Sequence, residues 1–320
     1  MAATVSPQSP VPPQSTVSPQ TTDPFPLTRG RIAALVIGVP LCLLLVAYSG
    51  FDLLANFGQG RYPVSYKVPA SARSLALNMA AGHVLIKQTA SSQATLAGTA
   101  RYSLVRSKVT ESTANGQTAI GYRCYIPVGD CELDATVNIP AGLPVTADTD
   151  GGDVTVTGTA GPVKLSTGGG DIAADHTTGP LTLNTSGGDI SAAAISSATM
   201  TATTGGGNID ATGLNSTTVT ARTSGGNIQA SGVTSAALTA STGGGDITIV
   251  FTSVPHDVLV NTSGGNITLV LPPGSTEYRV NTHTDGGSVT DSLRTNTLST
   301  SGNVITATSG GGDITLRYPQ

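Results

Sequence analysis

Polar and apolar residues alternate in short runs through the last half of the chain, and these runs predict β-strands. One unit extends from Asp153 to Gly170 and contains two such runs, Asp153–Thr157 and Val163–Thr167, separated by a turn. Alternation with β-branched residues is typical of half-buried strands. We therefore predict two strands in each unit. The apolar residues predicted to face inward in later units are Ile172, Ala174, Leu181, Leu183, Ala198, Met200, Ala202, Val219, Ala221, Leu238, Ala240, Ile247, Ile249, Val258, Val260, Ile267 and Leu269.

A short motif, Gly-Gly followed by Asp, Asn or Ser, recurs nine times in the same region. Its last position advances by 18, 18, 19, 19, 19, 20, 22 and 25 residues. A near-constant period means that one structural unit is stacked on its neighbours, because each unit is too small to bury its own apolar face. We predict an all-β fold in which residues 150–320 form a parallel β-solenoid of coils of about 19 residues, with two strands per coil.

The motif residues are predicted to form structural turns. Gly reaches positive φ without steric cost, and Asp or Asn hydrogen-bonds nearby backbone amides. The predicted turn residues are Gly152, Asp153, Gly170, Asp171, Gly188, Asp189, Gly207, Asn208, Gly226, Asn227, Gly245, Asp246, Gly265, Asn266, Gly287, Ser288, Gly312 and Asp313. A ladder of calcium sites is the alternative. Calcium prefers carboxylate oxygens, and four of the nine positions are Asn or Ser, which favours turns over metal.

Residues 61–149 are predicted to be a β-rich capping region without the 19-residue period. The strand-like stretches are Val64–Val68, Ser74–Met79, His83–Lys87, Ala94–Val105, Thr118–Tyr125 and Leu133–Ile139. Within this region Ala81-Gly82-His83-Val84 is a candidate degenerate copy of the motif. Solenoids need such a cap, because an uncovered end leaves unpaired strand edges.

Cys124 and Cys131 flank a stretch of six residues in this region. A disulfide is the favoured interpretation, because both cysteines are predicted to lie outside the cell, where disulfides persist. Two free thiols and a metal pair are the alternatives, but the sequence offers no second pair of ligands for a metal.

The N-terminal residues predict a membrane anchor. Residues 1–28 are a polar Pro-, Ser- and Thr-rich tail, predicted to be disordered and cytoplasmic. Residues 29–57 hold the anchor and its flanks, and the uncharged run Ile32–Phe51 has 20 residues, enough to span a bilayer. Arg29 and Arg31 precede the run, so the repeats should be extracytoplasmic on a single-pass protein of the cell membrane. A cleaved signal peptide, with Ala47 and Ser49 at its cleavage site, is the rival interpretation.

Charge is divided unevenly along the chain. Residues 61–123 contain eight Lys and Arg residues and one acidic residue, a net charge of +7. Residues 124–320 contain five Lys and Arg residues and sixteen acidic residues, a net charge of −11. A solvated surface is the simpler interpretation. The sharper one places the basic region near anionic lipid or wall polymer. Aromatic residues do not interleave with the basic ones, so no nucleic-acid partner is predicted.

No catalytic constellation is visible. The acids lie mainly at the predicted turns, and the histidines, His83, His176, His256 and His283, share no ligand spacing. No serine lies in a Gly-x-Ser-x-Gly elbow. We therefore predict no catalytic, cofactor-binding or metal-binding residue and no enzymatic activity.

The chain resembles a bacterial family of β-strand-repeat domains known as the putative-adhesin family. The resemblance extends from about Arg61 to the C-terminus and rests on Leu133–Pro140, on Val145–Val156, and on the Thr-Ser-Gly-Gly-Asp/Asn-Ile series that follows. It implies a surface domain, often attached to a membrane anchor, without catalytic residues.

Three functions remain open. The leading one is a non-enzymatic cell-surface adhesin or scaffold that contacts wall polymer, a host or neighbouring surface, or another envelope protein. The second is an extracytoplasmic accessory or sensor domain of an envelope-stress signalling system. The third is a polysaccharide-active enzyme, which a groove lined by three or more converging acids would favour.

Overall fold

The computed structural model describes residues 37–46, 48, 50, 59–103, 105–124, 131–295 and 302–320. The chain divides into two compact units, Met1–Phe51 and Asp52–Gln320. In the first unit residues 37–46 are helical and their side chains are largely exposed. Within the described ranges, no helix combines the length and the apolar character that a bilayer crossing requires. The predicted tail at 1–28 and both ends of the predicted span lie outside the described residues.

The second unit is built from β-strands. Its first seven strands are β1 Gln59–Lys67, β2 Ser74–Met79, β3 Val84–Thr89, β4 Thr95–Ser103, β5 Lys108–Ala114, β6 Gln117–Arg123 and β7 Cys131–Pro140. The others are β8 Val145–Thr149, β9 Val154–Thr157, β10 Val163–Thr167, β11 Ile172–Asp175, β12 Leu181–Thr185, β13 Ile190–Ala193, β14 Ser196–Thr204, β15 Ile209–Thr212, β16 Asn215–Thr223, β17 Ile228–Thr242, β18 Ile247–Phe251, β19 Asp257–Thr262, β20 Ile267–Val270, β21 Arg279–Thr284, β22 Val289–Asp291, β23 Val304–Ser309 and β24 Ile314–Arg317.

These strands form two sheets, and each coil contributes one strand to each sheet. The A sheet has the order β1-β4-β7-β3-β9-β11-β13-β15-β17-β18-β20-β24-β22. The B sheet has the order β5-β6-β2-β8-β10-β12-β14-β16-β17-β19-β23-β21. All pairings from β7 and β6 onward are parallel, and the long strand β17 belongs to both sheets. The predicted all-β fold is confirmed.

Apolar side chains stack in columns between the two sheets. Ile172, Ile190, Ile209 and Ile228 are register partners in successive coils and are at most 2% exposed. The predicted inward-facing residues are buried, with the exception of Ala198. The prediction for Ala198 is wrong, because Ala198 and Thr199 are both exposed. Ala198 has no register partner in β16, although its neighbours Ser197 and Thr199 do. This irregularity interrupts the alternation.

Two parallel coils lie within the predicted capping region. Strands β2 and β3 pair with β8 and β9, and β6 and β7 pair with the opposite edges of β2 and β3. The antiparallel strands β1, β4 and β5 cover the outer coil. With the nine coils that carry the motif, the described residues thus form eleven parallel layers. Strand β5 lies outside the predicted stretches.

Stacking in sequence order, which a constant period predicts, is wrong at the C-terminal end. Strands β23 and β24 are inserted between the coil of β19 and β20 and the coil of β21 and β22. The inner positions explain this order. Ala307 and Leu316 on the inserted coil are fully buried, whereas their register partners on the end coil are the polar residues Thr282 and Asp291. The polar coil therefore ends the stack, and the apolar one lies beneath it.

Candidate functional site

The last residues of the nine motifs form one column along an edge of the solenoid. Each Asp or Asn accepts, through Oδ1, a hydrogen bond from the backbone N–H of the equivalent residue in the next coil, at 2.6 to 2.9 Å. The order in space is Asp153, Asp171, Asp189, Asn208, Asn227, Asp246, Asn266, Asp313 and Ser288. Carboxylates and amides thus make the same contact, so the bond does not require a negative charge.

The column continues into the N-terminal coils through Asp134 and His83 and ends at Ser288 at the other extremity. Asp134 accepts a bond from the N–H of His83 at 3.2 Å, and Nδ1 of His83 lies 3.3 Å from Oδ2 of Asp153. At the other extremity Asp313 accepts bonds from both the N–H and the hydroxyl of Ser288. These bonds favour the ionised carboxylate and hold the pKa of Asp313 below its usual value.

The second glycine of each motif is required by close packing. A Cβ atom at Gly188 would overlap the carbonyl oxygen of Gly170, and the other eight positions meet the preceding coil in the same way. By contrast, a Cβ at Gly187 would be 4.0 Å from its nearest neighbours. Among these nine glycines only Gly152 has positive φ, at 103°. The predicted reason, freedom to adopt positive φ, is therefore wrong for the others.

A buried column of hydroxyl groups, which the sequence analysis missed, runs parallel to the Asp and Asn column. Thr204, for example, donates to the carbonyl of Gly188 in the preceding coil at 2.8 Å and accepts from the N–H of Gly207 at 3.1 Å. The sequence does carry the signal, because a Thr or Ser lies four residues before every Asp, Asn or Ser of the motif. These residues are Thr149, Thr167, Thr185, Thr204, Thr223, Thr242, Thr262, Thr284 and Ser309.

A disulfide joins Cys124 to Cys131, whose Cα atoms are 6.2 Å apart. It closes the corner between β6 and β7, at the place where later coils carry the glycine motif. Beside it lies a groove of about 1080 Å³ whose lining includes the acids Glu132, Asp148 and Asp150. Glu132 is engaged elsewhere, since its Oε2 lies 3.0 Å from Nη1 of Arg101.

The histidines lie apart from one another in the structure. His176 pairs with Asp175 at 2.7 Å, and His283 pairs with Asp285 at 3.0 Å, on exposed side chains. In the part of the chain that the structure describes, no three His, Cys, Asp or Glu residues lie close enough together to hold a metal ion.

The repeated corners and all of the named strands from β2 to β24 lie within one region that matches a known family. Residues 73–317 match the Toastrack DUF4097 family. The chain belongs to this family. The predicted resemblance to a family of β-strand-repeat domains is confirmed by this match.

Three solved structures illustrate the similarity. A putative adhesin from Bacteroides fragilis is 15% identical, with a TM-score of 0.42, and the match covers 81% of this chain and 97% of that one. A putative lipid binding protein from Parabacteroides distasonis is 12% identical, with a TM-score of 0.50 and coverage of 79% and 96%. A putative cell adhesion protein from Clostridium sporogenes is 11% identical, with a TM-score of 0.22 and coverage of 81% and 100%. No curated protein matches the chain.

The outer face of the B sheet carries regular rows of hydroxyl groups on this Toastrack solenoid. Thr182, Thr201, Thr220 and Thr239 are register partners in four successive coils and form one outward column. A second outward column, two residues further along each strand, contains Asn184, Thr203, Arg222 and Ser241. Adjacent strands are about 4.8 Å apart, so the face repeats its hydrogen-bonding groups at that interval.

Proposed function

We propose that this Toastrack protein is a non-enzymatic binding module, an adhesin or scaffold, on the outer side of a cell membrane. The observation that carries the proposal is the pair of in-register polar columns on the B sheet. Hydroxyl and amide groups at a fixed interval can hydrogen-bond a polymer that repeats its own donors and acceptors. The rigid stack of coils holds these groups in place, which limits the entropy lost on binding.

Glycan and envelope-polymer arrays probed with residues 52–320 test this proposal. All of the buried apolar core lies between Val64 and Leu316, so this fragment retains it. We expect retention on at least one class of wall or envelope polymer. The double variant Thr201→Lys and Thr220→Lys should not be retained on this polymer, because long charged side chains would disrupt the hydroxyl column.

The matched control is the double variant Ser191→Lys and Gln229→Lys, at two positions that face outward on the A sheet. This control should bind the polymer as strongly as the unmodified fragment does. Absence of binding to every polymer, or equal loss in the two double variants, would refute a polymer-binding B face.

The membrane attachment is the second part of the proposal. It is supported by the uncharged run Ile32–Phe51 and the preceding Arg29 and Arg31. Protease added to intact cells should remove the repeats and leave a membrane-bound N-terminal fragment. A soluble mature protein that begins near Gly50 would instead establish a cleaved signal peptide. A sensor role in envelope-stress signalling stays a prediction from the family resemblance.

The groove beside the disulfide favours a second candidate, a polysaccharide-active enzyme. Glycoside hydrolysis uses two carboxyl groups that flank the scissile bond, and Asp148 and Asp150 both line the groove. Release of reducing sugar from envelope polysaccharides, abolished by Asp148→Asn or Asp150→Asn, would establish this function. No release, or release unaffected by both changes, would exclude this groove as the site.

A further inference from the structure

The basic part of the chain is concentrated at one end of the solenoid. Residues 61–123, with a net charge of +7, form the first six strands. Strands β1 and β5 are the outermost strands of the A and B sheets at this end. The later coils extend away from it and carry a net charge of −11 over residues 124–320. The molecule therefore has a basic end and an acidic body.

A cleft of about 330 Å³ opens between β1 and the start of β5 at this basic end. Its lining includes two cations, Arg106 and Lys108, and two tyrosines, Tyr62 and Tyr66, and it includes no acid. Both cationic side chains are exposed, whereas the tyrosines are partly buried.

Arg106 is held in position by the aromatic wall of the cleft. Its guanidinium lies 4.0 Å from the centre of the Tyr62 ring, a cation–π contact. The Tyr62 hydroxyl in turn donates a hydrogen bond to the carbonyl of Ser107 at 2.8 Å. The contact fixes the plane of the guanidinium and leaves its N–H groups available for an oxyanion.

The cations of this end differ in whether they have an acidic partner. Arg101 pairs with Glu132 at 3.0 Å and with Asp134 at 3.3 Å. For Arg61, Arg106 and Lys108 the described residues provide no ion pair. An anionic ligand in the cleft would give Arg106 and Lys108 a partner of opposite charge.

We propose that this cleft binds the phosphate of anionic phospholipid headgroups and seats the basic end of the solenoid on the membrane. Arg106 supplies the planar donors that suit a phosphate, and Lys108 supplies a second positive charge. The tyrosines match the headgroup level of a bilayer, where aromatic rings with a polar tip are enriched. Strand β1 begins eight residues after the apolar run that ends at Phe51.

This inference rests on the proposed membrane attachment, which brings the cleft to a bilayer, but the two are tested separately. Protease treatment of cells tests the attachment. Vesicle binding by residues 52–320, which lack the apolar run, tests the cleft. The probe is a set of vesicles of phosphatidylglycerol mixed with phosphatidylcholine, compared with pure phosphatidylcholine, in low salt.

We expect co-flotation with the anionic vesicles only. A basic residue near an anionic surface contributes about 1 kcal/mol, so Lys108→Gln should weaken binding roughly fivefold, and Arg106→Gln with Lys108→Gln by more than tenfold. The control is Arg279→Gln with Arg294→Gln, which removes the same charge at the C-terminal end of the stack, where both residues are exposed, and should leave binding unchanged. Lys108 is exposed, so replacement of its side chain tests the cleft without removing a buried group.

Inorganic phosphate distinguishes recognition of the phosphate group from general charge attraction. Added phosphate should displace the fragment from vesicles more effectively than sodium chloride at equal ionic strength. Equal displacement by the two salts would overturn the cleft as a phosphate site. Equal binding of the cleft and control variants would also overturn the proposal, as would retention on isolated wall polymer without any binding to anionic vesicles.

Discussion

Oδ1 of Asn266 accepts a hydrogen bond from the backbone N–H of Asp313 at 2.9 Å, although 47 residues separate them in sequence. The motif that follows Asn266 along the chain ends at Ser288, which lies one coil further and bonds to Asp313. Residues 302–320 are thus inserted between two coils that precede them in the chain. Closure of this end of the stack therefore depends on a segment that lies later in the chain than both of the coils it joins.

Removal of residues 302–320 should destabilise the whole C-terminal end, because β20 and β22 both lose their partner β24. Ile305, Ile314 and Leu316 are fully buried, and each contributes roughly 1.5–3 kcal/mol. We expect a lower melting temperature and proteolytic cleavage between residues 267 and 295. Removal of only Pro319 and Gln320, which are exposed, is the control. Unchanged protection of residues 267–295 in the long deletion would contradict the inserted arrangement.

Gly188→Ala should cost several kcal/mol of stability, because its Cβ would overlap the carbonyl oxygen of Gly170 and the coils cannot separate locally. Gly187→Ala is the matched control. There a methyl group meets nothing closer than 4.0 Å and φ is not positive, so the effect should stay within about 0.5 kcal/mol. Chemical denaturation of residues 52–320 measures both. Equal effects of the two substitutions would show that the coils are not packed as closely as described.

Thr204→Val tests the buried hydroxyl column. Valine has nearly the same shape but leaves the carbonyl of Gly188 and the N–H of Gly207 without their partner. Each unsatisfied buried group costs about 1–3 kcal/mol, so the free energy of unfolding should fall by about 2–4 kcal/mol. Thr203→Val changes the neighbouring outward position and should be nearly neutral. If the two variants have the same free energy of unfolding, the hydroxyl column does not stabilise the corners.

The regular part of the fold could be predicted from the sequence because two periodicities coincide in it. Alternation of polar and apolar residues defines strands such as Val163–Thr167, and the recurring Gly-Gly corners define the coil. Ala198 shows the limit of this reasoning. Alternation assigns a residue to a face only while the strand is regular, and the alternation and register of β14 are interrupted at that point. The antiparallel strand β5 is largely exposed and carries no alternation that would reveal it.

The sequence also contains a signal for the order of the last coils. This signal becomes visible only when equivalent positions of different coils are compared. The residue before each Gly-Gly pair alternates along the stack between a residue with a side chain and glycine. In space the series is Asp150, Gly168, Ser186, Gly205, Ser224, Gly243, Ser263, Gly310 and Asp285. A Cβ at Gly310 would overlap the carbonyl oxygen of Ser263. In sequence order Asp285 would follow Ser263 directly and break the alternation, so this pattern alone favours insertion.

Substitutions in the Asp and Asn column distinguish a structural role in the turns from calcium binding. Asp189→Asn should change stability by less than about 0.5 kcal/mol, because Asn208 makes the same Oδ1 contact in the next coil. Asp189→Ala should cost about 1 kcal/mol, because the N–H of Asn208 loses its acceptor. Thermal melts with calcium and with chelator complete the test. A calcium-dependent rise in melting temperature that Asp171→Asn and Asp189→Asn abolish would identify a metal site.

Tyr278→Phe should stabilise the protein. The Tyr278 side chain is fully buried, and among the described residues its hydroxyl has no hydrogen-bond partner. The substitution removes this polar group without leaving a large cavity, and we expect a gain of about 1 kcal/mol. Tyr122→Phe is the comparison, because the Tyr122 hydroxyl donates to the carbonyl of Arg101 at 2.7 Å. That variant should lose about 1 kcal/mol at neutral pH.

Alkaline pH should widen the advantage of Tyr278→Phe. Burial raises the pKa of Tyr278 above its usual value of 10.0, so the folded state favours the neutral phenol. The stability linked to this group is complete below the ordinary pKa and is lost as the pH rises through the raised pKa. Phenylalanine does not titrate, so denaturation at pH 7 and above pH 10 should show a larger difference from the unmodified protein at high pH. A destabilised Tyr278→Phe variant, or a difference that does not grow with pH, would mean that the hydroxyl reaches water.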